Sequence, residues 1–437
     1  MKHAPILKKF SISALNEMQN SALEAVSKPN DVMLIAPTGS GKTLAFLLPV
    51  LDLLDKEQDH VQVLIVVPSR ELALQIEQVF KQMGTNFKIN ACYGGHSVRI
   101  EENNLSHPPA ILVGTPGRIG HHIRRKHLDL RKTHTLILDE FDKSLELGFT
   151  DEMEFIIQNC KQLKKRILTS ATPLEDVPEF VGLQNVVSLN YTTEHKDLKS
   201  ALVLKFVKVK GDDKLEALML LLGKYGNIST IVFCNHREAV DRISEQLSNF
   251  KIDHGCYHGG LDQEDREKTL IKFRNGSIRI LVTTDLAARG LDIPEIENII
   301  HYQLPASEAI MIHRNGRTAR MQSTGTAYFL LDRDDHLPKF LETKPDEETL
   351  PGKFIIPKPC EWKTLYIAAG KKDKINKMDV VGMLLQKGNL EKEELGKIDI
   401  LDHSAYAAIK SSKIAATLKL VKDEKIKNRK IKMEIAT

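Results

Sequence analysis

Asp31-Val-Met-Leu-Ile-Ala-Pro-Thr-Gly-Ser-Gly-Lys-Thr43 sets an apolar strand, a glycine turn and a helix start one after another. Gly39 and Gly41 let the chain curl so that backbone N–H groups converge on phosphate oxygens. Lys42 brings a charge to the outer phosphates of a nucleotide, and Thr43 offers a hydroxyl to Mg2+. Ala36, Thr38, Gly39, Ser40, Gly41, Lys42 and Thr43 are therefore the expected phosphate cradle. Ala36 stands where the generic pattern has its first glycine.

Working outward, short β-rich apolar runs alternate with helical stretches. They fall at 31–36, 63–67, 110–113, 135–138 and 166–168, and again at 202–209, 230–233, 278–283, 298–302 and 326–331. Such alternation predicts right-handed βαβ units and parallel sheets covered on both faces. The expected fold is α/β: two doubly wound parallel-sheet domains, residues 1–195 and 196–335, joined near 191–200. Residues 336–360 shift to Asp, Lys, Pro and Glu with little periodicity and read as a linker. Residues 361–437 change order to βαββαβ, a small α+β sheet with helices on one side.

At 437 residues the chain exceeds what a single core organises, and 42% hydrophobic with 27% charged residues excludes fibres and long disordered tails. No apolar run approaches the roughly 20 residues of a membrane span, and Met1–Phe10 lacks the apolar stretch of a secretory signal. A cytoplasmic protein with no membrane association is expected, and a monomer. The five cysteines are far apart with no CxxC pair, which reads as free thiols packed as small hydrophobes. Residues 361–437 carry 17 basic and 11 acidic side chains, a net of +6, against a net of −2 for the rest of the chain. That excess suits either attraction to phosphate or a solvated surface.

The apolar run Thr135–Leu138 ends in Asp139-Glu140-Phe141-Asp142. A carboxylate at the carboxyl end of a strand can hold Mg2+, and its neighbour can orient or deprotonate an attacking water. These roles fall to Asp139 and Glu140.

Together with further blocks in a fixed order, these motifs make residues 16–331 resemble the DEAD-box RNA helicases. The blocks are Pro68-Ser-Arg-Glu-Leu-Ala73, Gly94-Gly95, Thr115-Pro-Gly-Arg118, Asp139–Asp142 and Ser170-Ala-Thr172. Val232-Phe-Cys-Asn235, Gln263–Arg266, Thr284–Asp292 and His313–Arg320 follow. The resemblance implies two RecA-like domains, ATP and Mg2+ as cofactors, RNA as partner, and ATP hydrolysis coupled to local opening of short duplexes. It implies that Arg317 and Arg320 act as fingers on the γ-phosphate and that His313 bridges the domains near Asp139 and Thr172. Gln19 would read adenine, Asp285 meet the ribose, and Ser170 and Thr172 couple hydrolysis to strand separation. RNA contacts would come from Arg70, Gly95, Thr115, Arg118, Gln263, Arg266 and Thr284, mostly along the sugar–phosphate backbone.

Three features depart from the family pattern, the third being the adenine-reading region as a whole. Phe141 replaces an alanine, and Ala319 a glycine. The segment Leu15-Asn-Glu-Met-Gln19 lacks the usual Pro-Thr pair, and Lys2 stands where an aromatic is usual. Phe10 is then either a cover for the base or a core anchor.

Lys363–Lys374 and Gly396–Ile400 resemble the C-terminal domain of DbpA/YxiN-type bacterial helicases, a divergent RNA-recognition (RRM-like) module. That resemblance implies large-subunit (23S) ribosomal RNA and ribosome assembly intermediates as partners. Tyr366 and Tyr406 are open to two roles, stacking platform or core. Lys371, Lys372 and Lys374, with the basic stretch Lys425–Lys432, are the expected RNA contacts of the module. An ATP-gated RNA clamp or chaperone without productive unwinding is the alternative function, and a DNA helicase a third.

Overall fold

The computed structural model describes residues 3–37, 39–95, 98–174, 176–192, 202–209, 211, 213–285, 296–318, 324–341, 343–427 and 429–436. The chain forms two compact units, residues 1–199 with 289–292, and residues 200–288 with 293–437.

In the first unit the apolar runs form β1 (Val32–Ile35), β2 (Val63–Val66), β4 (Ile111–Gly114), β5 (Thr135–Leu138) and β6 (Lys165–Ser170). Two strands not foreseen from the sequence, β3 (Ile89–Cys92) and β7 (Val187–Asn190), complete a seven-stranded parallel sheet in the order β3-β4-β2-β5-β6-β1-β7. Alternate side chains of the central strands feed two separate cores, Val63 and Ile65 into one, Leu64 and Val66 into the other. Each face is covered by helices, as a strand that is apolar on both sides requires.

The second unit repeats this plan. Its strands are β8 (Leu202–Lys208), β9 (Thr230–Phe233), β10 (His254–Tyr257), β11 (Ile280–Thr283), β12 (Asn298–His301), β13 (Gly325–Leu331) and β14 (Asp346–Glu347). They order as β10-β11-β9-β12-β13-β8-β14, all parallel, which is the first sheet shifted by seven in numbering. β10 and β14 were again unforeseen.

The stretch 336–360, read as a linker, is a strap bound to this second sheet. Asp346 and Glu347 pair in parallel with Lys205 and Phe206 of β8. Glu348 is buried and accepts a 2.6 Å bond from Lys205 and another from Lys224. Leu350 and Phe354 pack on the core, with Phe354 edge-on to Phe250 at 5.5 Å. The polar composition that suggested a linker instead supplies the carboxylates that neutralise two lysines.

Residues 362–436 form β15 (Trp362–Ile367), β16 (Leu395–Ile400), β17 (Ala405–Lys410), the hairpin β18 (Lys425–Ile426) and β19 (Arg429–Lys430), and β20 (Met433–Ile435). The main sheet is antiparallel, β16-β17-β15-β20. Helices Lys377–Gln386 and Ser411–Val421 cover one face, where Leu365, Ile367, Ala407 and Ile409 meet Val380, Leu384, Ile414 and Val421. This is the βαββαβ order read from the sequence, with the final stretch broken by the hairpin.

All five cysteines are free, and only Cys256 is partly exposed. No helix among the described residues is long and apolar enough to cross a membrane.

Candidate nucleotide and RNA site

β1 lies between β6 and β7, so its carboxyl end opens where the strand order reverses, the place at which open α/β sheets bind ligands. The chain leaves β1 through Ala36, which is fully buried and donates its N–H to Ser170 O at 3.1 Å. Ala36 is not among the residues with positive φ, so no glycine is needed there. Positive φ occurs at Gly39 (+84°) and Gly41 (+91°), where side chains are costly. Lys42 opens the helix Lys42–Val50 and donates from Nζ to the carbonyls of Ala36 at 2.6 Å and Pro37 at 2.9 Å. Thr43 follows in the first turn of that helix. Thr38 lies outside the described residues.

The helix Glu17–Ser27 grips this loop from its N-terminus. Asn16 and Gln19 form a reciprocal capping box, Gln19 N to Asn16 Oδ1 at 2.8 Å and Asn16 N to Gln19 Oε1 at 3.1 Å. Asn16 Nδ2 also donates to Ser40 O at 3.1 Å, and Gln19 Nε2 to Gly41 O at 3.3 Å. Asparagine caps a helix as well as threonine does, so the helix start is preserved without the Pro-Thr pair. Phe10 is partly buried and packs against the core cluster that contains Leu7, Phe80 and Met83.

β5 lies between β2 and β6 and is followed directly by Asp139, which is 3% exposed and accepts a hydrogen bond from Thr169 Oγ1. The same hydroxyl accepts from Glu140 N at 3.2 Å, and Glu140 adopts a left-handed φ of +49°. Burial pushes the Asp139 carboxyl up, while Thr169 and the Lys42 charge oppose that shift. Phe141 is fully buried in the core beside Leu138 and Leu168, so the larger side chain fills a packing site and leaves both carboxylates in place. Asp142 accepts from Thr172 Oγ1 at 3.0 Å, and Thr172 N donates to Ser170 Oγ at 3.1 Å. The carboxylate turn and the Ser170–Thr172 turn are thus directly linked.

On the same sheet edge, four of the expected RNA residues come together around Tyr93. The Arg70 guanidinium lies 4.5 Å from the Tyr93 ring centroid, and a Cβ on Gly95 would stand 3.3 Å from Arg70 Nη1. Tyr93 N donates to Glu101 Oε1 at 3.1 Å, and Glu101 Oε2 accepts from Arg118 Nε at 2.5 Å. Thr115 precedes the helix Pro116–Arg124 that carries Arg118.

In the second unit, Gln263 and Arg266 open the helix Gln263–Arg274, and Thr284 and Asp285 follow β11. His313 and Arg317 are each 2% exposed. Arg320 lies outside the described residues.

Three family profiles match the chain: DEAD/DEAH box helicase over residues 16–180, helicase conserved C-terminal domain over 213–322, and DbpA RNA binding domain over 364–435. The chain is 31% identical to ATP-dependent RNA helicase DbpA of Escherichia coli, across 98% of this chain and 96% of that one. It belongs to the DEAD-box ATP-dependent RNA helicases of the DbpA type. DbpA of Bacillus subtilis is 30% identical, covering 96% of this chain and 94% of the relative. Among solved structures, S. cerevisiae Dbp5 bound to RNA and ADP BeF3 superposes with a TM-score of 0.68 at 27% identity over 76% of this chain and 88% of that one. Mss116 bound to ssRNA and UDP-BeF gives 0.69 at 25% identity over 76% and 73%.

In this DEAD-box helicase several contacts escaped the sequence reading because they join distant segments. Thr169 holds the first carboxylate. Glu101, 2% exposed, ties Arg118 to His122, whose Nε2 lies 2.7 Å away. Burial alone raises the Glu101 carboxyl, but bonds from His122, Arg118 and Tyr93 outweigh it and leave the group below its ordinary range. Arg314 is fully buried, meets Asp285 in a two-pronged pair (2.6 and 3.1 Å), and donates to Gln303 O at 2.9 Å and Asn235 Oδ1 at 2.7 Å. Asp285, expected at the ribose, is thus oriented by Arg314.

In the DbpA-type module, Lys371, Lys372 and Lys374 are exposed on the turn after β15. Lys427, in the β18–β19 turn, donates to Lys374 O at 2.5 Å and pairs with Asp379 at 2.8 Å, so the turn and the hairpin are in direct contact. Tyr406 is 1% exposed and Tyr366 half-buried, 5.4 Å apart between ring centroids. Tyr406 is thus buried, on the sheet face opposite the module's own helices.

Proposed function

We propose that this DEAD-box helicase opens short duplexes in large-subunit (23S) ribosomal RNA during assembly of the large (50S) subunit, in the cytoplasm. The observation that carries the target is the match of residues 364–435 to the DbpA RNA binding domain, whose loop Lys371, Lys372 and Lys374 offers exposed charge to RNA phosphates. We assign ATP to the cradle formed by Ala36, Thr38, Gly39, Ser40, Gly41, Lys42 and Thr43, with Gln19 at the base and Asp285 at the ribose. Thr43 and Asp139 fit Mg2+, since a hydroxyl and a carboxylate are hard oxygen donors. When bound, that ion neutralises charge on the β- and γ-phosphates.

Glu140 orients and deprotonates the attacking water, and the remaining catalytic roles are assigned to Arg317, Arg320 and His313. The Asp142–Thr172–Ser170 bonds transmit the state of the carboxylate turn. Arg70, Gly95, Thr115, Arg118, Gln263, Arg266 and Thr284 hold the RNA backbone.

Crosslinking the protein to RNA in cells and sequencing the bound fragments tests the target. Enrichment of one region of large-subunit ribosomal RNA is the expected result, and an even spread over messenger RNA defeats it. Unwinding of a short duplex joined to the enriched fragment, with ATP against a non-hydrolysable analogue, separates a helicase from a clamp. Equal strand release under both conditions makes the protein an ATP-gated clamp.

A further inference from the structure

The C-terminal sheet has two faces, and only one is covered by its own helices. On the other, Thr364 and Tyr406 are 1% exposed and Ala408 is fully buried. Thr364 and Tyr406 face the helix Gln263–Arg274 and the turn after it, both part of the second helicase domain. Asn275 Nδ2 donates to Thr364 Oγ1 at 2.9 Å, and Thr364 Oγ1 donates to Ser277 Oγ at 2.8 Å, with all three residues buried. A Cβ on Gly276 would stand 3.6 Å from the Trp362 ring. Glu264 and Glu267 add to the burial that pushes the Tyr406 phenol up to about 12. At the rim, Asp253 accepts from Lys363 Nζ at 2.6 Å and from Cys360 N at 3.3 Å.

Such a contact is polar and buried at its centre. Apolar surfaces slide over one another cheaply, whereas a buried amide–hydroxyl–hydroxyl chain is satisfied in one arrangement only. The helix that receives the module is also the one that begins with Gln263 and Arg266, proposed above as RNA-holding residues. Its first turn carries those two residues, and Asn275, just beyond its last turn, holds the module.

We propose that Asn275, Ser277 and Asp253, through Thr364 and Lys363, are positioning residues that fix the RNA-binding module at one distance and angle from the motor's RNA track. The module is then a rigid gauge. RNA held by the module presents a neighbouring duplex to the motor at a set spacing, and a loosened joint converts that fixed presentation into a diffuse one. This inference rests on the RNA-helicase reading above and extends it to substrate geometry.

Trp362, the single tryptophan of the chain, sits at the joint and reports on it directly. The test uses the full-length protein, comparing Thr364→Val with Lys363→Ala in one variant against Thr364→Ser with Lys363→Arg in another. The probe is a short RNA duplex placed at increasing spacer lengths from a stem-loop of large-subunit ribosomal RNA.

In the first variant Trp362 emission is expected to move to longer wavelength without RNA, while ATP turnover stimulated by poly(A) stays unchanged. Unwinding at the preferred spacing falls about tenfold and the spacing profile flattens. The second variant restores both. An unshifted emission in the first variant, or a shifted emission with the spacing preference intact, overturns the proposal. So does a parent protein that unwinds equally at every spacing. Absence of any RNA-stimulated turnover in the parent sinks the helicase reading instead, and leaves the emission shift as the independent reading of the joint.

Discussion

The two helicase domains share one strand order, yet the carboxyl crests of their sheets are built for opposite purposes. In the first, β1 leads through two positive-φ glycines to Lys42, whose ammonium rests on two loop carbonyls. In the second, β8 leads to the helix Lys214–Tyr225, which also begins with a lysine, but Lys214 is paired with Asp335 and lies 3.6 Å from Asp332. Carboxylates there neutralise the ammonium. The next crest position differs as well. β5 leads into Asp139 and Glu140, whereas the segments just after β9, β11 and β12 are tied together by the buried Arg314 through Asn235, Asp285 and Gln303. Topology supplies a crest, and a handful of loop residues decide whether it is open to phosphate or plugged by the protein's own charges.

The sharpest way to break this comparison is Lys42→Ala. The loss of a charge placed where negative charge develops is expected to lower RNA-stimulated ATP turnover about a thousandfold, with the fold intact by circular dichroism. Turnover within a few-fold of the parent would show that the first crest is not the phosphate site. Second in size is Arg314→Ala, which strips a buried guanidinium from Asp285. Leaving that carboxylate unpaired is expected to destabilise the second domain by about 3–5 kcal/mol, read as a lower denaturant midpoint of Trp362 fluorescence. A midpoint unchanged within error means the plug is not structural.

Most of this contrast was readable in the sequence, and the parts that were not have a common cause. The cradle is contiguous, so its glycines, lysine and threonine announce themselves at residues 39–43. The central strands are apolar on both faces and stood out as runs. The four missed strands are the third and seventh of each sheet, the edges, where one side meets solvent and the pattern dilutes to Ile-Asn-Ala-Cys, Val-Ser-Leu-Asn, His-Gly-Cys-Tyr and the two-residue Asp-Glu. Thr169, Glu101 and Arg314 were missed because each acts through space on a motif far away in the chain. The strap at 346–354 was misread because a charged segment can be bound by charge as firmly as an apolar one by its core.

A third difference between the crests is titratable. β5 ends with Leu138, and the corresponding residue of β12 is His301, fully buried and stacked 4.7 Å from Phe329. Burial, with help from Arg314, pushes its imidazole down to about 3 from 6.5. Because the folded state refuses a proton that the unfolded chain accepts, its contribution is complete above about pH 6.5 and is lost progressively as the pH falls toward 3. The second domain should lose about 3 kcal/mol from this group near pH 4. His301→Leu should flatten that part of the curve in Trp362-monitored unfolding. An unchanged pH slope would place the proton uptake elsewhere.

The smallest effect bears most directly on the comparison. Lys214 and Lys42 occupy the first position of equivalent helices, so a crest defined by topology alone would make Lys214→Ala and Lys42→Ala alike. Lys214 is mostly buried, but its partners Asp332 and Asp335 are each more than a quarter exposed, so water screens the pair and takes over the carboxylates when the lysine is removed. Alanine is also a better helix former at that position. The expected cost is about 1 kcal/mol in stability, with ATP turnover unchanged. A large fall in turnover for Lys214→Ala would mean that the second crest also handles phosphate, and the division between an open crest and a plugged one would have to be abandoned.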